Sequence, residues 1–164
     1  MKDKELSLWA NLRRKEMGYL QARALYLKGT EPNDEIFRSA LRNPSERGTA
    51  LRLIKDCYTL EQKKQILREL LELSRCDHSD LQLTWEIILS MPREYVLSKI
   101  EEWMDWLIPA PTEKEQYVVY RSLLALFIHM DENITYRLAK RAKEDTDEDV
   151  KEAGEDYLQL LKRK

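Results

Sequence analysis

Apolar residues recur at three- and four-residue steps along almost the whole chain, which is the spacing of one face of an α-helix. Between Lys4 and Lys28 the series runs Trp9, Leu12, Leu20, Ala24 and Leu27, and Gly29 follows as a C-terminal stop. A turn at Glu31-Pro32-Asn33 leads into a short predicted helix over Asp34–Arg42, with Ile36, Phe37, Ala40 and Leu41 inward. Further on, the inward sets are Ile66, Leu67, Leu70 and Leu73, then Leu81, Trp85, Ile88 and Leu89. Val96, Ile100, Trp103, Met104 and Leu107 form the next, followed by Ile134, Leu138 and Ala142. No stretch alternates strictly enough to be a strand, and the one β-branched doublet, Val118-Val119, lies inside a helical pattern.

The start signals agree. Asn43 precedes Pro44, where a side-chain oxygen can accept from free N–H groups and proline loses no needed donor. Thr59-Leu-Glu-Gln62 and Thr112-Glu-Lys-Glu115 read as capping boxes. Ser79-Asp80, Pro92, Asp131 and Thr146-Asp-Glu-Asp149 open further helices, while Pro109 and Pro111 end one. The expectation is an all-α chain of about nine helices, roughly three quarters of its residues helical. The starts form two interleaved series, one near Pro44, Asp80, Glu113 and Glu148 with steps of roughly 35 residues, the other near Leu60, Pro92 and Glu132 with steps of roughly 32 and 40. A helix pair recurring at that period predicts a short α-solenoid of antiparallel pairs behind a long N-terminal helix. The alternative is an irregular helical bundle. One domain is expected over 1–164, with N-terminal helices in 1–42 and helix-pair repeats in 43–164.

The segment from Ala142 to Leu161 resembles the first helix of a HEAT repeat. Asp147 stands in the acidic turn, Val150-Lys151 takes the place of Val-Arg, and Ala153-Gly154 is the small pair before a Leu. Cys76 to Leu89 echoes it loosely, with Thr84-Trp85 at the small positions; the Asn43 and Thr112 segments match poorly. The resemblance implies a HEAT-like scaffold and carries over no catalytic residue.

Composition narrows the class further. Of 164 residues, 43% are hydrophobic, too many for a disordered chain, and only four are Gly and five Pro, too few for a loop-rich β-protein. Lys and Arg number 28 against 30 Asp and Glu, a balance that argues against a dedicated nucleic-acid binder. The N-terminus lacks the apolar core of a secretory signal, and Arg121 interrupts the most apolar window, Tyr117 to Met130. Two cysteines, Cys57 and Cys76, are no disulfide framework. A cytoplasmic protein with no membrane association is expected.

Reactive constellations are sparse. Cys76 and His78 with Asp77 and Asp80 could offer metal ligands, but no second ligand pair accompanies them and Ser79-Asp80 already reads as a helix cap. His129 falls near a helix end, where its ring can meet late carbonyls. Glu101, Glu102 and Asp105 share one helix, as acid–base carboxylates would, and fit a solvated face better. No metal, cofactor or catalytic residue is expected. Arg13-Arg14-Lys15, Lys63-Lys64, Arg137 with Lys140-Arg141, and Lys162-Arg163-Lys164 all have acidic neighbours. More informative are the aromatics. Tyr95, Lys99, Glu102 and Trp106 form a ridge displaced from the core stripe of their helix, and Tyr136 with Lys140 is displaced in the same way from Ile134, Leu138 and Ala142. Tyr95, Lys99, Trp106, Tyr136 and Lys140 are therefore the expected protein-binding residues; the competing assignment packs the ridge on a neighbouring repeat. The functional expectation is a non-enzymatic protein-interaction scaffold, either a bacterial immunity or inhibitor protein or an adaptor, binding a protein partner. A nucleic-acid-binding HEAT-like protein and an enzyme of unfamiliar type are the alternatives.

Overall fold

The computed structural model describes residues 2–29, 34–108 and 116–163. Among the described residues there are ten α-helices and no strand: α1 (Lys2–Gly29), α2 (Asp34–Arg42), α3 (Pro44–Cys57), α4 (Leu60–Gln65), α5 (Leu67–Leu73), α6 (Leu81–Leu89), α7 (Arg93–Leu107), α8 (Gln116–Phe127), α9 (Glu132–Lys143) and α10 (Glu148–Lys162). The expected box at Thr112–Glu115 and the prolines at 109 and 111 lie outside the described residues.

Several starts follow the local chemistry read from the sequence. Asn43 Oδ1 accepts from the Ser45 N–H, with Pro44 in the first turn. Thr59 and Gln62 exchange side-chain and backbone bonds in a full capping box. Asp131 Oδ1 accepts from Asn133 and Ile134. Three starts differ from expectation. At α10 the cap is Asp147, accepting from Asp149 and Val150, rather than Thr146. At α7, Pro92 stands at the cap position with extended ψ, one residue before the helix. At α6, Asp80 makes no side-chain cap. His78 works there instead: its Nδ1 accepts from the Asp80 N–H at 3.1 Å and its Nε2 faces the Leu73 carbonyl at 3.2 Å.

Thr59 to Leu73 was expected as one helix, and it breaks at Ile66, whose φ −108° and ψ 9° leave the helical region. The cause is visible in the bonding. Arg38 donates to the Gln65 carbonyl at 3.1 Å and pairs with Glu69, so a guanidinium is inserted into the helix ladder. Ile66 itself is fully buried, which holds the break in place.

The contacts divide the chain into two units, 1–37 and 38–164. In the second, α3 and α5 pack on α6, α5 also meets α7, and α8, α9 and α10 pack on one another. Its core includes Leu51, Ile54, Leu67, Leu70, Ile87, Val96, Ile100, Leu124, Phe127, Ala142 and Val150, all nearly or fully buried. Polar links join helices two or three apart along the chain, and their order rises on both partners. Between α7 and α9 they are Arg93 with Asp131 at 2.8 Å, Glu101 with Arg137, and Asp105 with Arg141 at 3.8 Å. From α8 to α10 and the turn before it, Gln116 bonds Asp145 and Arg121 bonds Asp156. In each of these two couples the helices therefore run in the same direction. Helix α10 comes close to α9 at Gly154, where a Cβ would stand 2.5 Å from both the Ala139 carbonyl oxygen and the Lys143 nitrogen. Only glycine admits that contact.

The first unit holds α1 and the start of α2. Tyr26 meets Phe37 edge-on, with ring centroids 6.4 Å apart. Trp9, Leu12, Leu20 and Leu27, expected on an inward stripe, are exposed. So is Ile36, because α2 turns Phe37 and Leu41 inward instead. Leu89 is likewise exposed at the end of α6, where Thr84, Ile87 and Ile88 face the core.

Candidate interaction surface

The five residues expected to bind a partner fall into two different settings. Tyr95, Lys99 and Trp106 on α7 are half-buried. The Lys64 ammonium from α4 stands 5.0 Å over the Tyr95 ring. Two guanidiniums from α5 and its following turn approach Trp106, Arg68 at 4.7 Å and Arg75 at 5.9 Å from the ring centroid. Cation–π attraction of this kind draws a basic side chain onto an aromatic face. Lys99 pairs with Glu102 along its own helix, and the bond raises the lysine pKa and lowers that of the carboxylate. This ridge thus faces the preceding helices. On α9, Tyr136 and Lys140 are exposed. The links from α9 to α7 run one residue further on, through Arg137 and Arg141.

Trp103, expected in the core stripe, is half-buried; its indole N–H donates to Glu102, and Lys99 lies 5.4 Å over its ring. Glu101 and Asp105 are held in ion pairs with Arg137 and Arg141, so these exposed carboxylates bridge helices. Both ring nitrogens of His78 are occupied by the α6 start. Burial first, then the Arg47 charge, lowers its pKa. Cys76 is exposed and Cys57 half-buried, and neither is in a disulfide. Among the described residues no three His, Cys, Asp or Glu side chains gather where they could hold a metal ion.

Two clefts adjoin α5. One, of about 530 Å³, is lined by Arg38, Arg42, Arg47, Glu69, Glu72 and the Cys76–Ser79 turn. Its smaller neighbour, of about 330 Å³, shares Arg38, Arg42, Glu69 and Glu72 and adds Arg68 and Trp106. Both charge signs are interspersed, and Arg38 is already committed to Glu69.

The larger unforeseen surface is α1. Leu6, Leu8, Trp9, Leu12, Met17 and Leu25 are all between 55% and 71% exposed, and Leu20 follows at 44%. Single exposed leucines are ordinary, but this many large apolar side chains along one helix leave an unusual amount of apolar surface exposed. The sequence carried a signal for it. Leu6 shares the face of the expected series, Leu8, Met17 and Leu25 lie outside it, and Glu5, Arg13, Glu16 and Arg23 interrupt the stripe. No described helix, α1 included, is long and apolar enough to cross a membrane. Comparison of the chain with family models, with characterised proteins and with solved structures finds no match.

Proposed function

We propose that the chain is a non-catalytic protein-binding module: a short stack of antiparallel helix pairs with a long N-terminal helix whose exposed apolar side chains meet a protein partner. The observation that carries the binding reading is the exposed apolar set of α1, Leu6 through Leu25. Burying such side chains against a protein is worth roughly 1.5–3 kcal/mol each, and large aromatic side chains such as Trp9 are the usual anchors of interfaces.

Three features support the stacked arrangement. Bonds between helices two or three apart recur at separations of 27 to 38 residues, a range that includes the period of the helix starts. Helices two apart run in the same direction in the α7–α9 and α8–α10 couples. The small pair Ala153-Gly154 lies buried where α10 crosses α9. A non-catalytic role is supported by the placement of His78 and the α7 carboxylates in bonds that organise helices. A stoichiometric inhibitor and an adaptor would both use such a surface, and the partner separates them.

The test places a photo-crosslinking residue at position 9, 12 or 20 of α1, and at 11 or 21 as controls, in cells making the full chain. Crosslinks to protein are expected at the first three positions and are weak at the controls. Equal yields at all five positions, or none at any, would refute the reading.

A further inference from the structure

Along α1, Leu6, Trp9, Arg13, Glu16 and Leu20 follow one another at alternating steps of three and four residues, the spacing of a coiled-coil seam. Leu6 is 64% exposed, Trp9 60% and Leu20 44%, and Arg13 and Glu16 are exposed as well. Among the described residues neither charge has an ion-pair partner. An apolar seam with an unmatched cation and an unmatched anion at its middle is poorly suited to a lipid surface, which would have to take up both charges. It suits a protein surface carrying the opposite charges at the opposite places.

The chain itself is such a surface. Turned antiparallel about a point between Arg14 and Lys15, the middle of the seam is self-complementary: Trp9 of one copy meets Leu20 of the other and Arg13 meets Glu16, while Leu6 falls opposite Arg23 at each end. A two-fold axis repeats each contact, so two apolar layers flank two Arg13–Glu16 pairs. In antiparallel helix pairs, residues of the two seam classes oppose each other in this way. A shift of one heptad would set Arg13 against Arg23 in one direction, or Arg13 against Trp9 and Glu16 against Leu6 in the other, so the charges also select the register. Resting on the reading of α1 as a protein-binding helix, we propose that its partner is a second copy of this chain, paired antiparallel through Trp9, Arg13, Glu16 and Leu20.

Charge exchange tests it on the full-length chain, with solution mass measured by light scattering and helicity by circular dichroism. The wild type is expected to be a dimer well above micromolar concentration. Arg13→Glu and Glu16→Arg should each be monomeric with unchanged helicity, because each sets like charges opposite one another twice. Mixing the two variants should restore a dimer, since one chain then carries only acidic and the other only basic residues at the two places. The double variant Arg13→Glu/Glu16→Arg should dimerise alone. A wild type that is monomeric throughout, or a dimer that both single variants retain, overturns self-pairing. If the wild type is monomeric while residue 9 still crosslinks to a different protein, self-pairing falls and the binding reading stands. Recovery of the wild type on anionic vesicles as a monomer, with no protein crosslink, removes both.

Discussion

Trp106 and His78 show how much a residue's setting alters its meaning. The indole of Trp106 is half-buried with Arg68 and Arg75 over it, so its removal takes away packing and two cation–π contacts. Trp106→Ala should cost about 2 kcal/mol, less than the roughly 3–5 of a fully enclosed large aromatic. A urea midpoint that does not move would show that the ring lies free of α5. His78 accepts the Asp80 N–H through Nδ1, and protonation would turn that acceptor into a donor. Burial and the Arg47 charge lower its pKa, against weaker opposition from Leu73, Asp80 and Asp77. The folded chain therefore holds this proton less readily than the unfolded chain. Stability is fully present above the ordinary imidazole value and falls as pH drops through it towards the lower folded value. Denaturation followed between pH 7.5 and 5 should give a steeper loss in the wild type than in His78→Asn, whose side chain can still accept the Asp80 N–H without titrating. Coincident slopes would contradict this.

At the scale of elements, two glycines distinguish a close-packed position from an open one. A methyl group on Gly154 would collide with the backbone of α9 at Ala139 and Lys143, so the helices must move apart. Gly154→Ala should destabilise by about 1–3 kcal/mol, even though alanine is the better helix former by about 1 kcal/mol. Gly18, inside α1, has nothing within 4 Å of the same position. Gly18→Ala should therefore stabilise α1, raising its helical signal on heating. Thermal melts of the two variants should move in opposite directions, and a shared direction would mean that α10 crosses α9 less closely than described.

For the molecule as a whole, the end of the chain is the informative place to cut. Helix α10 packs on both α9 and α8, and Val150, Ala153 and Gly154 are buried there. Deleting residues 148–164 should uncover Leu138, Ala139 and Ala142 of α9 and lead to dye binding and aggregation. A truncated chain that stays dispersed and keeps the remaining helicity would show that α10 is dispensable as a cover.

By itself, the sequence determined the helical class, most helix boundaries and the caps at Asn43, Thr59 and Asp131, because spacing and capping act within a few residues along one strand of backbone. Val150 and the Ala153-Gly154 pair stood out in the sequence only through the resemblance to a HEAT repeat helix, and their burial was not read from spacing. What only the tertiary structure decided were the features that depend on residues far apart in the chain. At the Ile66 break the Gln65 carbonyl accepts from Arg38, 27 residues away, and the α6 start uses His78 in place of the nearer Asp80. The Tyr95–Trp106 ridge was visible as a displaced face, but whether solvent or Arg68 met it depended on where α5 lay. The expected inward stripe of α1 failed for a complementary reason. Periodicity identifies which residues share a face, and only the packed chain shows whether anything covers that face.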